Sequence, residues 1–211
     1  MKRRQVTDRI VSTAPGEWAL RAAQAVEIIK WQLRGCPFRT PHAYKQRIVR
    51  EYAARYGLQV FVETGTQYGK MLIGVQRHFK TLYSIELHPE LAALARSRFA
   101  RFPHIHVLEG DSALEIHRVL ERLDEDALFW LDAHFFPYGP SGRGRELTPL
   151  RDELEAILAR KERRFVLLVD DAHCFVPERG YPALEEVREQ VRQLRPELNW
   201  TVEHDIIRIT P

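Results

Sequence analysis

The stretch that most constrains the fold covers residues 60–70, with the sequence VFVETGTQYGK. It opens with three β-branched or aromatic residues, as is typical of a strand buried on both faces of a parallel sheet. The carboxylate of Glu63 follows at the strand's carboxyl end. The next segment is a glycine turn formed by Thr64, Gly65, Thr66 and Gly69. Its glycines let the backbone approach a ligand closely, and its hydroxyls are suited to capping the helix that we predict to follow.

Strand-like and helix-like segments alternate after this turn at the spacing of βαβ units. Further strands are predicted at residues 81–85, 106–108, 127–131, 165–169, 200–203 and 206–209, and two helices, at about 17–33 and 42–56, precede the first strand. The pattern predicts an α/β fold with a doubly wound, Rossmann-like, mostly parallel sheet, helices on both faces and an antiparallel C-terminal strand. We expect an N-terminal helical extension over residues 1–58 and a single globular domain over residues 59–211.

Polar residues also follow the next two predicted strands. Glu86 ends the second strand, 23 residues after Glu63 (86 minus 63). An acid in this position binds the ribose hydroxyls in dinucleotide-type α/β units. The third strand leads into Gly110, Asp111 and Ser112, a polar turn suited to an adenine edge. The G-x-G-x-x-G fingerprint of nicotinamide-binding proteins is absent from the sequence.

The segments VETGTQYG, YSIELHPE, LEGDS, FWLDAH and VLLVDDAH stand in the order and at the spacing found in one large family. From about residue 59 to residue 211, the sequence resembles the class I S-adenosylmethionine-dependent methyltransferases. In that family the glycine turn holds the methionine part of the cofactor. The acid after the second strand binds the ribose, and the acid after the third strand lies beside the adenine. The cofactor-binding residues that this resemblance implies are Glu63, Thr64, Gly65, Thr66, Gly69, Glu86, Leu87, Gly110, Asp111, Ser112 and Asp132. The family often has glycine where this chain has Thr64 or Thr66.

The fourth and fifth predicted strands end in similar sequences, DAH and DDAH. Ligands lie outside the carboxyl ends of the strands in an open α/β sheet, so these acids and imidazoles should face one crevice. Because clustered carboxylates are costly to hold without a cation, we expect Asp132, with Asp170 or Asp171, to bind a divalent ion such as Mg²⁺. His134 or His173 could then act as general base, with Asp132 completing the catalytic set. In the competing interpretation, one Asp caps a helix, another binds the cofactor amine, and the histidines bond the backbone.

The resemblance extends to metal-dependent O-methyltransferases of the catechol and macrolide-sugar kinds, which place metal-binding acids after the same two strands. The segment at residues 135–148, FFPYGPSGRGRELT, predicts either an acceptor-site lid or a flexible loop. In a lid, Arg143 and Arg145 could meet a phosphate or carboxylate of the substrate. LDAHF and TPLRDELEAI also resemble a methyltransferase group associated with saccharide modification. The implied activity is methyl transfer from S-adenosylmethionine to a hydroxyl of a small molecule or saccharide, with a divalent metal assisting.

Two other classes stay open at this point. One is a non-catalytic S-adenosylmethionine-binding module that retains the fold. The other is an arginase-like metal-dependent hydrolase, whose metal sequence is D-A-H-x-D, although the second acid falls on Phe136 here. A nucleic-acid substrate is disfavoured, because the sequence has neither a basic patch interleaved with aromatic residues nor an N-P-P-Y-like segment.

The amino-acid composition bears on the cellular location of the protein. The 32 basic and 29 acidic residues leave a net charge of +3 without a long run of one sign, which is typical of a solvated surface. Two distant cysteines, Cys36 and Cys174, do not make a disulfide framework, and no window approaches 18 apolar residues. We therefore expect a cytoplasmic protein with no membrane partner. Its N-terminal helices would cover the site, pack on the sheet or pack against a second subunit in a homodimer.

Overall fold

The computed structural model describes residues 14–37, 40–133 and 148–211. The chain falls into two compact units, Met1–Ile48 and Val49–Pro211. Compact units need not fold independently, so the domain boundary predicted after residue 58 stays a prediction.

The described part of the first unit contains helix α1 (Ala14–Leu33) and the beginning of helix α2 (His42–Tyr56). The rings of Trp31 and Tyr44 join the two helices, with their centroids 4.9 Å apart. The indole N–H of Trp31 donates to the carbonyl of Pro37 at 2.9 Å, which also holds the connection between the helices. Both predicted N-terminal helices are confirmed.

In the described part of the chain, seven strands form one sheet in the order β3-β2-β1-β4-β5-β7-β6. The strands are β1 (Val60–Thr64), β2 (Thr81–Glu86), β3 (Ile105–Glu109), β4 (Ala127–Leu131), β5 (Phe165–Val169), β6 (Asn199–Glu203) and β7 (Ile206–Thr210). Strands β1 to β5 are parallel, whereas β7 runs antiparallel to β5 and to β6. The predicted fold class, with its antiparallel C-terminal strand, is confirmed.

Helices connect the parallel strands. They are α3 (Lys70–Val75), α4 (Pro89–Phe99), α5 (Ser112–Arg122), α6 (Leu150–Leu158) and α7 (Leu184–Leu194). Helix α6 packs against both α5 and α7. Helix α4 ends at Phe99, shortly before Pro103, which disfavours helical backbone at the residue that precedes it. None of the described helices is long and apolar enough to cross a membrane.

Side chains alternate between the two faces of the sheet, as the pleat of a strand requires. Val60 and Val62 of β1 belong to the hydrophobic cluster that also includes Ile116 of α5 and Ile157 of α6. Phe61 points the other way and packs on Phe79, with ring centroids 5.1 Å apart. Each of β1, β4 and β5 has five residues, and all of them are buried. The carboxyl ends of these strands are therefore held by the packed core.

Candidate functional site

The candidate site lies where the order of the strands reverses. From β1 the chain proceeds to β2 on one side, and β4 pairs with β1 on the other. In open α/β sheets, ligands bind in the crevice at such a switch point, outside the carboxyl ends of the strands. The acidic residues at or just after these strand ends are Glu63, Glu86, Asp132 and Asp170. The structure therefore brings to one edge the acids that the sequence predicted there.

The turn after β1 requires glycine for two separate reasons. Gly65 has φ +84°, and a Cβ atom there would lie 2.5 Å from the carbonyl oxygen of Asp132. Gly69 has φ +66°, and its Cβ would lie 2.7 Å from Cε2 of Phe99. L-amino acids with side chains rarely adopt such positive φ values. The amide of Gly65 donates to the carbonyl of Ile85 at 2.9 Å, so the turn is also fixed to β2.

The hydroxyls of Thr64 and Thr66 do not cap the following helix. Gly69 is the residue before α3, and no side chain caps that helix. Thr64 is the last residue of β1, and its Oγ1 accepts the backbone N–H of Asp132 at 3.3 Å. Thr66 is hydrogen-bonded to the hydroxyl of Ser84 at 2.5 Å. The capping prediction is wrong, because both hydroxyls are buried against polar groups of neighbouring segments.

Glu63 is almost completely buried, with 2% of its surface exposed. The hydroxyl of Ser84 donates to its Oε2 at 2.6 Å. Burial raises the pKa of Glu63 well above its ordinary value of 4.5; the Ser84 hydrogen bond lowers it, and the charges of Asp132 and Glu86 add to the rise. In this position Glu63 ties β1 to β2 from inside the sheet edge. Its predicted contact with a cofactor stays a prediction.

Glu86 ends β2 and organises the backbone on both sides of the crevice. Its Oε2 accepts the backbone N–H of Gln67 at 2.7 Å, and its Oε1 accepts that of His88 at 2.9 Å. The neighbouring Leu87 is half-buried. Since an ionised carboxylate offers about four acceptor positions, each oxygen can accept a further hydrogen bond. The two oxygens of Glu86 could therefore accept hydrogen bonds from two donor groups of one ligand in the crevice.

The turn after β3 is fixed to the same place. The amide of Gly110 donates to the carbonyl of Glu86 at 2.9 Å. Asp111 caps α5, with its Oδ1 accepting the N–H of Ala113 at 3.1 Å. Ser112, the first residue of α5, is buried. Capping uses one carboxylate oxygen of Asp111 and leaves the second available for other contacts.

Three carboxylates converge after β4 and β5. One oxygen each from Asp132, Asp170 and Asp171 can be chosen so that all three lie within 4.8 Å of one another. Asp170 is buried and its Oδ1 accepts the N–H of Asp171 at 2.8 Å, while Asp171 itself has a positive φ of 52°. Hard divalent cations prefer such carboxylate oxygens. The donor set therefore fits the cation that the sequence predicted.

An imidazole lies beside these acids. Nδ1 of His173 is 2.7 Å from Oδ2 of Asp205, and the backbone N–H of His173 donates to Oδ1 of the same aspartate at 2.8 Å. If Nδ1 carries the proton in this pair, Nε2 is the basic nitrogen. Nε2 lies 3.4 Å from Sγ of Cys174. Asp171, His173 and Asp205 also form a second group whose potential ligand atoms lie within 4.8 Å of one another.

Some predicted site residues lie outside the described part of the chain, namely His134, Arg143 and Arg145. The same holds for the predicted lid at residues 135–148, except for its last residue. Its last residue, Thr148, is buried, and its Oγ1 accepts the N–H of Leu150 at 3.3 Å. The roles proposed for His134 and for the two arginines stay predictions.

The sequence interpretation missed two acids near the site, Asp205 and Glu153. Asp205 lies in the turn between β6 and β7, 32 residues after His173, and no local pattern connects the two. Glu153 did leave a signal, because it lies on the apolar stripe of α6, between Leu150 and Leu154. An acid on a buried helix face needs a polar partner, and so marks a site worth inspecting.

No protein-family model and no curated protein matches this sequence. Solved structures do match its fold. An O-methyltransferase from Bacillus cereus in complex with S-adenosylhomocysteine aligns with 90% of this chain and 91% of its own, at 15% identity and a TM-score of 0.57. The O-methyltransferase TomG from Streptomyces achromogenes, involved in tomaymycin synthesis and bound to S-adenosylmethionine, aligns over 89% and 87%, at 19% identity and a TM-score of 0.57.

The N-methyltransferase NodS from Bradyrhizobium japonicum, in complex with S-adenosylhomocysteine, aligns over 98% of this chain and 96% of its own. Its identity is 16% and its TM-score is 0.54. At such identities the likeness establishes the fold. The chain has the fold of the class I S-adenosylmethionine-dependent methyltransferases, as the sequence motifs predicted. Because both O- and N-methyltransferases share this fold, the fold does not specify the acceptor atom.

Proposed function

We propose that the protein is an S-adenosylmethionine-dependent methyltransferase. The observation that carries this proposal is the arrangement of Glu86 beside the glycine turn at the switch point of the sheet. Both carboxylate oxygens are already oriented by backbone N–H groups, of Gln67 and His88. A preorganised acceptor pair at the end of β2 is suited to the two hydroxyls of a ribose.

The remaining cofactor contacts follow from the segments around Glu86. The turn containing Gly65 and Gly69 would pass beneath the methionine part, where the absence of side chains permits close approach. Asp111 and Ser112, at the start of α5, would flank the adenine. Asp132 would lie between the cofactor and the acceptor, since it follows β4 next to the turn at Gly65.

For the acceptor, we propose a hydroxyl of a small molecule or saccharide. The methyl group would leave the sulfonium sulfur and bond to the acceptor oxygen, giving S-adenosylhomocysteine and a methyl ether. The hydroxyl proton would pass to Nε2 of His173, which is the accepting nitrogen when Nδ1 donates to Asp205, or to His134. These residues would orient the oxygen towards the methyl group and remove its proton.

We also propose that Asp132, with Asp170 or Asp171, holds a divalent cation. Three carboxylates at this distance repel one another at neutral pH, and a cation offsets that repulsion. When bound, such an ion lowers the pKa of a nearby hydroxyl and helps to fix its position.

Replacing Glu86 by alanine should weaken binding of S-adenosylhomocysteine at least about tenfold, because charge-assisted hydrogen bonds to the ribose are lost. Isothermal titration calorimetry measures the affinity. The matched control is Glu90→Ala, which removes an exposed glutamate four residues away in the first turn of α4. The control should bind like the wild type. Equal affinities of the Glu86→Ala variant and the wild type would contradict the assignment.

A further inference from the structure

Glu153 is a buried acid that the mechanism above does not use. It lies in α6, on the helix face that also buries Leu150, Leu154 and Ile157. Only 1% of its surface is exposed. A carboxyl group on such a face is costly unless hydrogen bonds compensate for the lost contact with water. The contacts of Glu153 should therefore explain why an acid occupies this buried position.

The contacts of Glu153 connect it to three segments of the candidate site. Its carboxyl group lies near the hydroxyls of Thr64 and Ser112, which lower its pKa. Thr64 ends β1 immediately before Gly65, and its Oγ1 in turn accepts the backbone N–H of Asp132. Ser112 begins α5 and follows Asp111. One side chain thus links the glycine turn, the chain after β4 and the turn after β3.

One oxygen of the Glu153 carboxyl group can still accept a hydrogen bond. Oε1 of Glu153 is buried and has no hydrogen-bond partner among the residues that the structure describes. A buried oxygen of this kind is normally satisfied by a water molecule or by a polar group that enters the site. This distinguishes Glu153 from a core residue that only fills space.

We propose that Glu153 is a positioning residue of the cofactor site, which holds the turn after β1 and the start of α5 at the separation that the cofactor requires. This inference rests on the proposed function. Glu153 acts through Thr64 and Ser112, and its own carboxyl group does not contact the cofactor. Loss of the carboxyl group should therefore loosen the site while the sheet below remains folded.

The protonation state of Glu153 guides the choice of variants. Burial raises its pKa from 4.5 to about 7. The hydroxyls of Ser112 and Thr64 lower it, whereas the charges of Asp111, before α5, and Asp152, on α6 itself, raise it. At neutral pH a large fraction is protonated, so glutamine is a close replacement. Methionine fills a similar volume without hydrogen bonds, and it removes the cost of burying an acid.

The test compares Glu153→Met, Glu153→Gln and Glu155→Met, the last of which changes an exposed glutamate on the same helix. Calorimetry measures affinity for S-adenosylhomocysteine, and thermal unfolding measures stability. We expect Glu153→Met to melt no lower than the wild type but to bind about tenfold more weakly, because the polar contacts with the hydroxyls of Thr64 and Ser112 are lost. Glu153→Gln should bind within about threefold of the wild type, since glutamine keeps a polar group beside those hydroxyls. Glu155→Met should bind unchanged.

Thermal unfolding between pH 5 and pH 8 provides an independent measurement. The folded protein keeps the proton of Glu153 up to about pH 7, whereas the unfolded chain releases it at about 4.5. Stability from this group is complete below pH 4.5 and is lost as the pH rises through about 7. The melting temperature of the wild type should therefore fall relative to that of Glu153→Gln as the pH rises.

The outcomes separate this inference from the proposed function. A wild type that does not bind S-adenosylhomocysteine overturns the function and, with it, the role of Glu153. Normal binding by Glu153→Met overturns the role alone. Weak binding by Glu153→Met accompanied by an equal loss in Glu155→Met, or by a lowered melting temperature that glutamine does not restore, also overturns it and indicates a general effect on α6.

Discussion

Replacing Gly65 by alanine should abolish detectable binding of S-adenosylhomocysteine. The added Cβ would lie 2.5 Å from the carbonyl oxygen of Asp132 and 2.9 Å from its carbonyl carbon, so the chains after β1 and β4 must separate. A displacement of about 1 Å in a preorganised site can cost about a hundredfold in function. The variant also takes a positive φ of 84° with a side chain, which costs about 1–3 kcal/mol of stability.

The control for Gly65→Ala is Gly57→Ala. Gly57 follows α2 directly with a positive φ of 68°, and a Cβ atom there would meet nothing within 4 Å. Both variants carry backbone strain, but only Gly65→Ala has a steric clash at the site. Calorimetry should find normal affinity in Gly57→Ala and none in Gly65→Ala. Similar affinities in the two variants would show that the turn after β1 does not shape the cofactor site.

Removal of the proposed divalent cation by chelation should reduce methyl transfer at least about a hundredfold, because a cation supplies several kcal/mol of charge stabilisation. Asp132→Asn should have a comparable effect, since it removes a charge from the group formed with Asp170 and Asp171. Affinity for S-adenosylhomocysteine should change much less than turnover. Turnover is measured as label transferred from S-adenosylmethionine to an acceptor, which also distinguishes an enzyme from a module that only binds.

The matched control for this prediction is Asp124→Asn, an exposed aspartate before the amino end of β4. It should retain full turnover, and restoring Mg²⁺ or Mn²⁺ to the chelated protein should recover the lost activity. Full turnover after exhaustive chelation, or in Asp132→Asn, would rule out the metal mechanism. Proton removal by a histidine and positioning alone would then have to account for the transfer.

Local sequence patterns were enough to predict most of the fold. The predicted strands at residues 127–131 and 165–169 coincide with β4 and β5, because continuous apolar runs of that length have few other structures available. The acids after these strands could be placed at one edge for the same reason. The roles of the threonine hydroxyls could not be predicted, since the partners of Thr66 and Thr64, Ser84 and Asp132, are distant in the sequence.

Two features of the site depend on tertiary contacts that the sequence does not display. Asp205 meets His173 only because β7 returns antiparallel to β5 and brings the β6–β7 turn to the carboxyl edge. Glu153 meets Thr64 and Ser112 because α6 packs on α5. In the sequence, Asp205 looks like an ordinary polar residue of a turn, and only its place on an apolar helix stripe sets Glu153 apart. Their significance comes from burial and from partners on other elements.

The most direct measurement of the central claim is a crystal structure of the protein grown with S-adenosylhomocysteine. The account predicts the ligand at the switch point between β1 and β4, with both ribose hydroxyls donating to the carboxylate of Glu86 and the glycine turn beneath the homocysteine. Electron density for the ligand elsewhere, or an empty crevice at saturating ligand concentration, would contradict the proposed function.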